Sequence, residues 1–372
     1  MKRIKQILFI LVINGVILTA GIVIIELVFG GWLNPNKLNR LHLLPNCKRE
    51  YNVSRLYKTA HPIIKYTRDE YGLRGDYSDP SDIDILTVGG SATDQKYIRD
   101  GETWQDVLQQ QFNRQGVSVV VANAGVNGQS TFGHIKNFEW WFPFIPHLAP
   151  SFILFYVGIN DFHKDYKGDG RTPDVLLSSN TKYIEKSIKA NSAIAHLGRT
   201  LYGTYKSMVV YKISHRSIDF NKVSWTRDAL QKDYEFMQPR LNAYAKRLRV
   251  LADLTFASGA KPIFVTQPSR KYRTTSAGIE GIQETSPYDD GHQYNGVDYY
   301  HMMKRLDSVT KTVAIEKNAY FVDLSSYANW EDIDFYDFAH LTPPGAYKAG
   351  TRLYHAIKDI IVDAKTQKVR KE

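Results

Sequence analysis

Cysteine is almost absent from this chain: Cys47 is the single one in 372 residues. One thiol excludes an intrachain disulfide and any cysteine-clustered metal site. Also missing are the glycine-rich loops that cradle nucleotides, both the Walker type and Gly-x-Gly-x-x-Gly, and the His-Glu-x-x-His pair of zinc peptidases. No Gly-x-Ser-x-Gly elbow occurs, which counts against an α/β-hydrolase. Internal repeats and low-complexity segments are lacking too. A net charge of +10 invites a nucleic-acid reading, but more than half of it sits at the two ends, in Lys2, Arg3 and Lys5 and in the tail 365–372. The body has no basic run interleaved with aromatics, so nucleic acid is not expected as a partner.

What is present is an ordinary globular balance, 43% hydrophobic and 23% charged, enough for one large or two modest domains. The amino terminus departs from that average. Ile7–Phe29 is a run of 23 residues in which only Asn14, Thr19 and Glu26 are strongly polar. A helix of that length spans about 34 Å, enough to cross the hydrocarbon core of a bilayer. The apolar region of a signal peptide is shorter, and no small-x-small cleavage site follows, so an uncleaved anchor is expected, with the bilayer as partner of residues 7–29. Lys2, Arg3 and Lys5 favour a cytoplasmic amino terminus, which places the remainder on the extracytoplasmic side; Lys37 and Arg40 just beyond the span weaken the asymmetry.

Asn34–Tyr66 is polar, with Pro35, Pro45 and Pro62, and reads as a juxtamembrane stalk. From Ile83 onward short apolar runs alternate with helical patterns. The runs are Ile83–Val88, Val117–Val121, Phe152–Val157, Pro262–Thr266 and Tyr320–Val322. Continuous apolar strands separated by helices are buried on both faces, which predicts a parallel sheet in a three-layer α/β/α sandwich. Lys164–Trp225 breaks the rhythm and reads as an insertion, polar at first and helical around Ala193–Met208. Long helices are expected over about Asp228–Ala257 and Asp298–Lys317, with a polar loop over Ser269–Gly296 between them.

Chemistry concentrates at the strand ends. The first run stops at Gly89-Gly90-Ser91, a tight turn with a hydroxyl at its mouth. A serine needs a base to take its proton, and the base needs a third group to orient it. Of the eleven histidines, His42 and His61 fall in the stalk, and His196, His215 and His355 in helical patterns. His340 differs: it lies in Asp337-Phe338-Ala339-His340, just before the helix start Thr342-Pro343-Pro344. Asp337 at that spacing can bond one imidazole nitrogen while the other faces a serine. Donors for a developing oxyanion are available in the Ser91 N–H, the Gly128 N–H after the second run and the Asn160 amide after the third. Asp161 is read as a buttress of the Asn160 loop, and Trp140 and Trp141 as core or interface. His134 and His163, near the same strand ends, are candidate substrate contacts.

Taken together, Gly89-Gly90-Ser91, the glycine of Asn127-Gly128-Gln129, Gly158-Ile159-Asn160-Asp161 and Asp337-Phe338-Ala339-His340 resemble the four blocks of SGNH hydrolases, also called GDSL-type esterases. The resemblance covers roughly Ile83–Ile360. It implies a flavodoxin-like sheet, Ser91 as nucleophile, His340 as base, Asp337 as its orienting acid, and an oxyanion hole of Ser91, Gly128 and Asn160, without metal or cofactor. One departure is Gly90, where the Gly-Asp-Ser form carries aspartate. The implied division is a stub and anchor (1–32), a stalk and lead-in (33–80), an SGNH domain (81–364) with the insertion at about 164–225, and a basic tail (365–372). The expected activity is hydrolysis of esters, with O-acyl groups on cell-envelope carbohydrate as the substrate class. The same residues would also serve an O-acyltransferase, and a catalytically idle glycan-binding or envelope scaffold domain is the reading from a different class.

Overall fold

The computed structural model describes residues 2–33, 38, 41, 43–162, 192–195, 197–198, 215–288, 291–327 and 330–369. Helix α1 (Lys2–Phe29) is the apolar run, long and apolar enough to cross a membrane. Near its end Glu26 accepts hydrogen bonds from Trp32 Nε1 at 2.8 Å, Ser192 Oγ at 2.6 Å and the Ala193 N–H at 3.0 Å. The apolar helix is thereby tied to the insertion. Of the helical pattern expected over Ala193–Met208, residues 193–195 and 197–198 are helical, and the rest lies outside the described residues.

An antiparallel hairpin follows, β1 (Cys47–Asn52) with β2 (Ile63–Arg68). Next come β3 (Ile85–Gly89), the four-residue helix α2 (Ser91–Asp94) and α3 (Trp104–Arg114). Then come β4 (Val121–Gly125), α4 (Thr131–Trp140) and β5 (Phe152–Val157). Beyond the insertion lie β6 (Trp225–Thr226), α5 (Gln238–Ala257) and β7 (Lys261–Thr266). Short strands β8 (Tyr272–Thr275), β9 (Gly278–Ile282), β10 (Ser286–Pro287) and β11 (Gln293–Tyr294) occupy the stretch expected to be loop. The described chain closes with α6 (Gly296–Glu316), β12 (Tyr320–Val322) and α7 (Pro343–Val369).

The five apolar runs form one parallel sheet in the order β4-β3-β5-β7-β12, the doubly wound, flavodoxin-like arrangement. Successive strand residues point to opposite faces, and each face has its own helices. Ile85, Val121, Leu154, Tyr156 and Ile263 pack with Trp104, Leu108 and Phe112 of α3 and Leu353 and Ile357 of α7. Leu86, Val88, Ala122, Phe155 and Phe264 pack with Leu241, Tyr244 and Leu248 of α5 and Met302, Met303 and Leu306 of α6. The three-layer α/β/α sandwich follows from burying both sides of an apolar sheet. Helix starts are fixed locally by capping boxes, Thr103 with Asp106 for α3 and Asn295 with Asp298 for α6.

Three expectations shift. The second strand starts at Val121, where the apolar run was expected to end, and continues through Ala122-Asn123-Ala124-Gly125, all buried. These small residues are needed because α2 lies directly on them: a Cβ on Gly125 would stand 2.2 Å from the Asp94 backbone nitrogen. Helix α5 begins ten residues later than expected, since Leu230 and Gln231 give their N–H groups to the Asp298 carboxylate instead of to a helix. The lead-in is no bare stalk either. Arg68 of β2 is buried, and donates to Asp94 Oδ1 and to Gly125 O, both at 2.6 Å, so the hairpin is built into the domain.

Gly125→Ala forces β4 away from α2 with only backbone to yield. The expected loss is about 3 kcal/mol, read as a lowered thermal unfolding midpoint of the full-length protein; an unchanged midpoint would show that the layers can separate freely.

Candidate active site

Ser91 opens α2 at the carboxyl end of β3, the end at which ligands of doubly wound sheets bind. The helix is four residues long, and its carbonyls are taken up by side chains from elsewhere. Trp104 Nε1 donates to Ala92 O at 3.1 Å, Gln105 Nε2 and Asn123 Nδ2 donate to Thr93 O at 2.9 and 2.7 Å, and Arg74 Nη1 donates to Asp94 O. Asp94 Oδ1 receives Arg68 Nη2 at 2.6 Å and the Tyr66 hydroxyl at 2.9 Å, away from solvent. The serine therefore stands on a support gripped from the hairpin, from α3 and from β4.

His340 Nε2 lies 2.7 Å from Ser91 Oγ, across 249 positions of sequence. On its other nitrogen, Nδ1 is 2.8 Å from Asp337 Oδ2. Asp337 Oδ1 accepts the Ala339 and His340 N–H groups, both at 2.9 Å, which closes the loop around the carboxylate. Burial pushes the Asp337 carboxyl up, but the bonds and charge of His340 and the two backbone N–H donors outweigh it, and the net shift is downward. Asp337 thus stays ionised below the ordinary carboxylate range.

The expected oxyanion donors converge on the same turn. Asn160 follows β5, and its Nδ2 donates to Gln129 O at 2.8 Å, next to Gly128. Gly128 has φ of +75°, a conformation that favours glycine, and open space where a side chain would stand. Gly90 is needed for contact, not for a positive φ: a Cβ there would fall 1.8 Å from Asn160 Nδ2 and 2.9 Å from Gln129 O. The space beside the turn, expected to be clear, is filled by the Asn160 amide. The Asn160 loop is itself braced, with Gln267 Oε1 accepting the Ile159 N–H at 2.9 Å. Buried Asp161 accepts the Thr131 hydroxyl at 2.5 Å and Arg247 Nη2 at 3.2 Å, which is the buttress expected of it.

The two remaining candidates fare differently. His134 is 1% exposed on the inner side of α4, and burial drives its pKa down to about 3, against a smaller opposing pull from the Gly89 backbone. A neutral ring sealed in the core has no open path to a substrate, so the expected contact is not formed in this structure. His163 lies outside the described residues. The structure adds two rings that sequence reasoning passed over, His215 and Tyr336. His215 was set among helical patterns; it lies instead in irregular chain beside the triad, with Nδ1 3.0 Å from the Tyr336 hydroxyl. No spacing signal marks it, since its partner is 121 positions away.

Among the described residues, one group of metal-type side chains converges, His215, Asp337 and His340. The Asp337 carboxylate is already shared among His340 Nδ1 and two backbone N–H groups. The two imidazoles pack against each other with centroids 4.4 Å apart instead of aiming at a common point. Such a donor set suits proton transfer better than ion binding.

No protein-family model and no curated protein matches the sequence. Solved structures similar to it include an acetyl-xylooligosaccharide esterase from Geobacillus, at 15% identity and a TM-score of 0.40 over 74% of this chain and 93% of that one. The psychrotrophic esterase EstA from Pseudoalteromonas is similar at 12% identity and a TM-score of 0.39, over 74% of this chain and 97% of that one. A GDSL-like lipase from Bacteroides thetaiotaomicron is similar at 11% identity and a TM-score of 0.36, over 78% and 92%. At these identities and scores, any assignment of chemistry rests on the side chains themselves.

Proposed function

We propose that this chain is a membrane-anchored serine esterase of the SGNH type. The observation that carries the reading is the unbroken hydrogen-bonded line from Ser91 Oγ through His340 to Asp337, at 2.7 and 2.8 Å. His340 Nε2 accepts the Ser91 proton as Oγ attacks the ester carbonyl carbon. The negative charge that forms on the carbonyl oxygen is met by the Ser91 and Gly128 N–H groups and the Asn160 amide. Collapse of the tetrahedral intermediate breaks the bond to the leaving oxygen, which takes the proton back from His340 and departs as an alcohol. Water then attacks the acyl-enzyme with His340 again as base, releasing the acid and free Ser91. A triad of this kind performs ester hydrolysis with the protein's own groups.

The substrate class follows from location. A helix apolar enough to span a membrane, with three basic residues in its first turn, supports a domain held at the extracytoplasmic face. Esters available there include O-acyl groups on envelope carbohydrate, and these are the proposed substrates.

A fluorophosphonate probe is expected to label Ser91 in the folded protein, with Oγ displacing fluoride from phosphorus. Ser91→Ala should abolish labelling and lower hydrolysis of p-nitrophenyl acetate by about 10³-fold or more; full activity in that variant would sink the nucleophile assignment. Gly90→Asp, which restores the residue of the Gly-Asp-Ser form, should lower kcat about 100-fold by displacing the Asn160 amide. A gain in activity would show that Asn160 needs no such fit. For orientation, Cys47 is the only thiol, and a membrane-impermeant maleimide should reach it from outside intact cells. Labelling that appears only after lysis would reverse the topology.

A further inference from the structure

The proposed triad leaves one ring beside it without a task. His215 lies near the end of the 164–225 insertion, its ring centroid 4.4 Å from that of His340 and tilted by 42°. Tyr336 completes a triangle, 5.5 Å from His340 and nearly parallel to it, and 6.0 Å from His215. His215 Nδ1 stands 3.0 Å from the Tyr336 hydroxyl and 3.9 Å from Asp337 Oδ2, the latter beyond a hydrogen bond. Tyr97 meets the His215 ring edge to face at 5.1 Å. Tyr97 and Tyr336 are buried, so the place of His215 is set by two fixed rings.

We infer that His215 is a positioning residue for the base, wedging the His340 ring so that Nε2 faces Ser91 and screening the His340–Asp337 pair from water. This inference rests on the serine-esterase reading above. Two hydrogen bonds, one at each nitrogen, fix an axis through the His340 ring but leave rotation about that axis free. The packed triangle of His340, Tyr336 and His215 removes this remaining freedom. Alignment of the reacting groups has large effects on rate, because small displacements of a base are costly.

Charge supports the same role. Burial first, then the neighbouring His340, push the pKa of His215 down to about 4; Lys96 adds to the shift, while Asp337 and Asp94 oppose it. His215 is therefore neutral above that pH, and its protonated form is lost as pH rises through about 4. A neutral ring leaves the Asp337 charge to the His340 imidazolium that forms during the reaction. Histidine suits the place because it offers a flat ring together with a nitrogen for the Tyr336 hydroxyl. The insertion thus contributes to the proposed chemistry through one side chain brought against the base.

The test uses the full-length protein in detergent, with Ser91 labelling by a fluorophosphonate and hydrolysis of p-nitrophenyl acetate followed across the neutral pH range. His215→Ala should lower kcat about tenfold with KM within about twofold, since alignment and not ester binding is lost. His215→Phe keeps a ring in place and should return kcat to within about threefold of the parent. Thermal unfolding of each variant separates misfolding from misalignment. An Ala variant that matches the parent in kcat overturns the inference alone, as does a Phe variant no better than Ala. Absence of Ser91 labelling in the parent overturns the esterase reading and this inference with it.

Discussion

A helix of four residues has too few internal hydrogen bonds to hold itself, so the position of Ser91 depends on what grips α2 from outside. The central contact is the guanidinium of Arg68, which reaches the Asp94 carboxylate and the Gly125 carbonyl together. One side chain thereby joins the hairpin, α2 and β4. A buried ion pair adds little net stability, because desolvation offsets the attraction. Its value here is geometric, since alternatives that leave either charge alone in the interior are strongly disfavoured. Arg74, Gln105 and Asn123 complete the hold by taking the carbonyls that such a short helix leaves open. The amide of Asn160 then packs into the space that Gly90 leaves, so the Asn160 loop is registered against the same turn.

The sandwich was legible because its signal is thermodynamic and local. Runs such as Phe152–Val157 are apolar at every position, which only a strand buried on both faces requires. The triad was legible because Asp337 and His340 share one loop and Ser91 follows two glycines, so short motifs carry it. What stayed hidden depended on contacts between distant segments. Ala122-Asn123-Ala124-Gly125 reads as a turn, for small residues form strands poorly in isolation, and only the weight of α2 above them explains their size. Polarity and three prolines make Asn34–Tyr66 read as a stalk, because a sequence does not show that Arg68, just beyond it, reaches Asp94. His215 carried no local mark at all; its setting is made by Tyr97, Tyr336 and His340, each far from it along the chain.

The site also shows a division of labour between rigid and composite parts. Ser91, Gly128 and Asn160 follow three adjacent strands, so their spacing is inherited from the sheet. His340 and Asp337 come on a loop outside the sheet and are held by side chains and backbone of other loops. Ser269 Oγ and the Arg270 N–H both donate to Phe338 O at 2.8 Å, locking the loop between Asp337 and Ala339. Strand geometry thus places Ser91, Gly128 and Asn160, and a network of loop contacts places His340 and Asp337.

The 249 positions between Ser91 and His340 have a consequence for the order of synthesis. The serine, its helix and the hairpin that grips it are all made early, while the imidazole arrives only when the chain has been built as far as residue 340. Helix α7, which presses against α3 next to that serine, comes later still. A growing chain therefore carries Ser91 without its imidazole partner through most of its elongation. Under the proposed serine chemistry, that hydroxyl gains its base only when the carboxy-terminal segment docks, so completion of the fold and onset of chemistry would coincide.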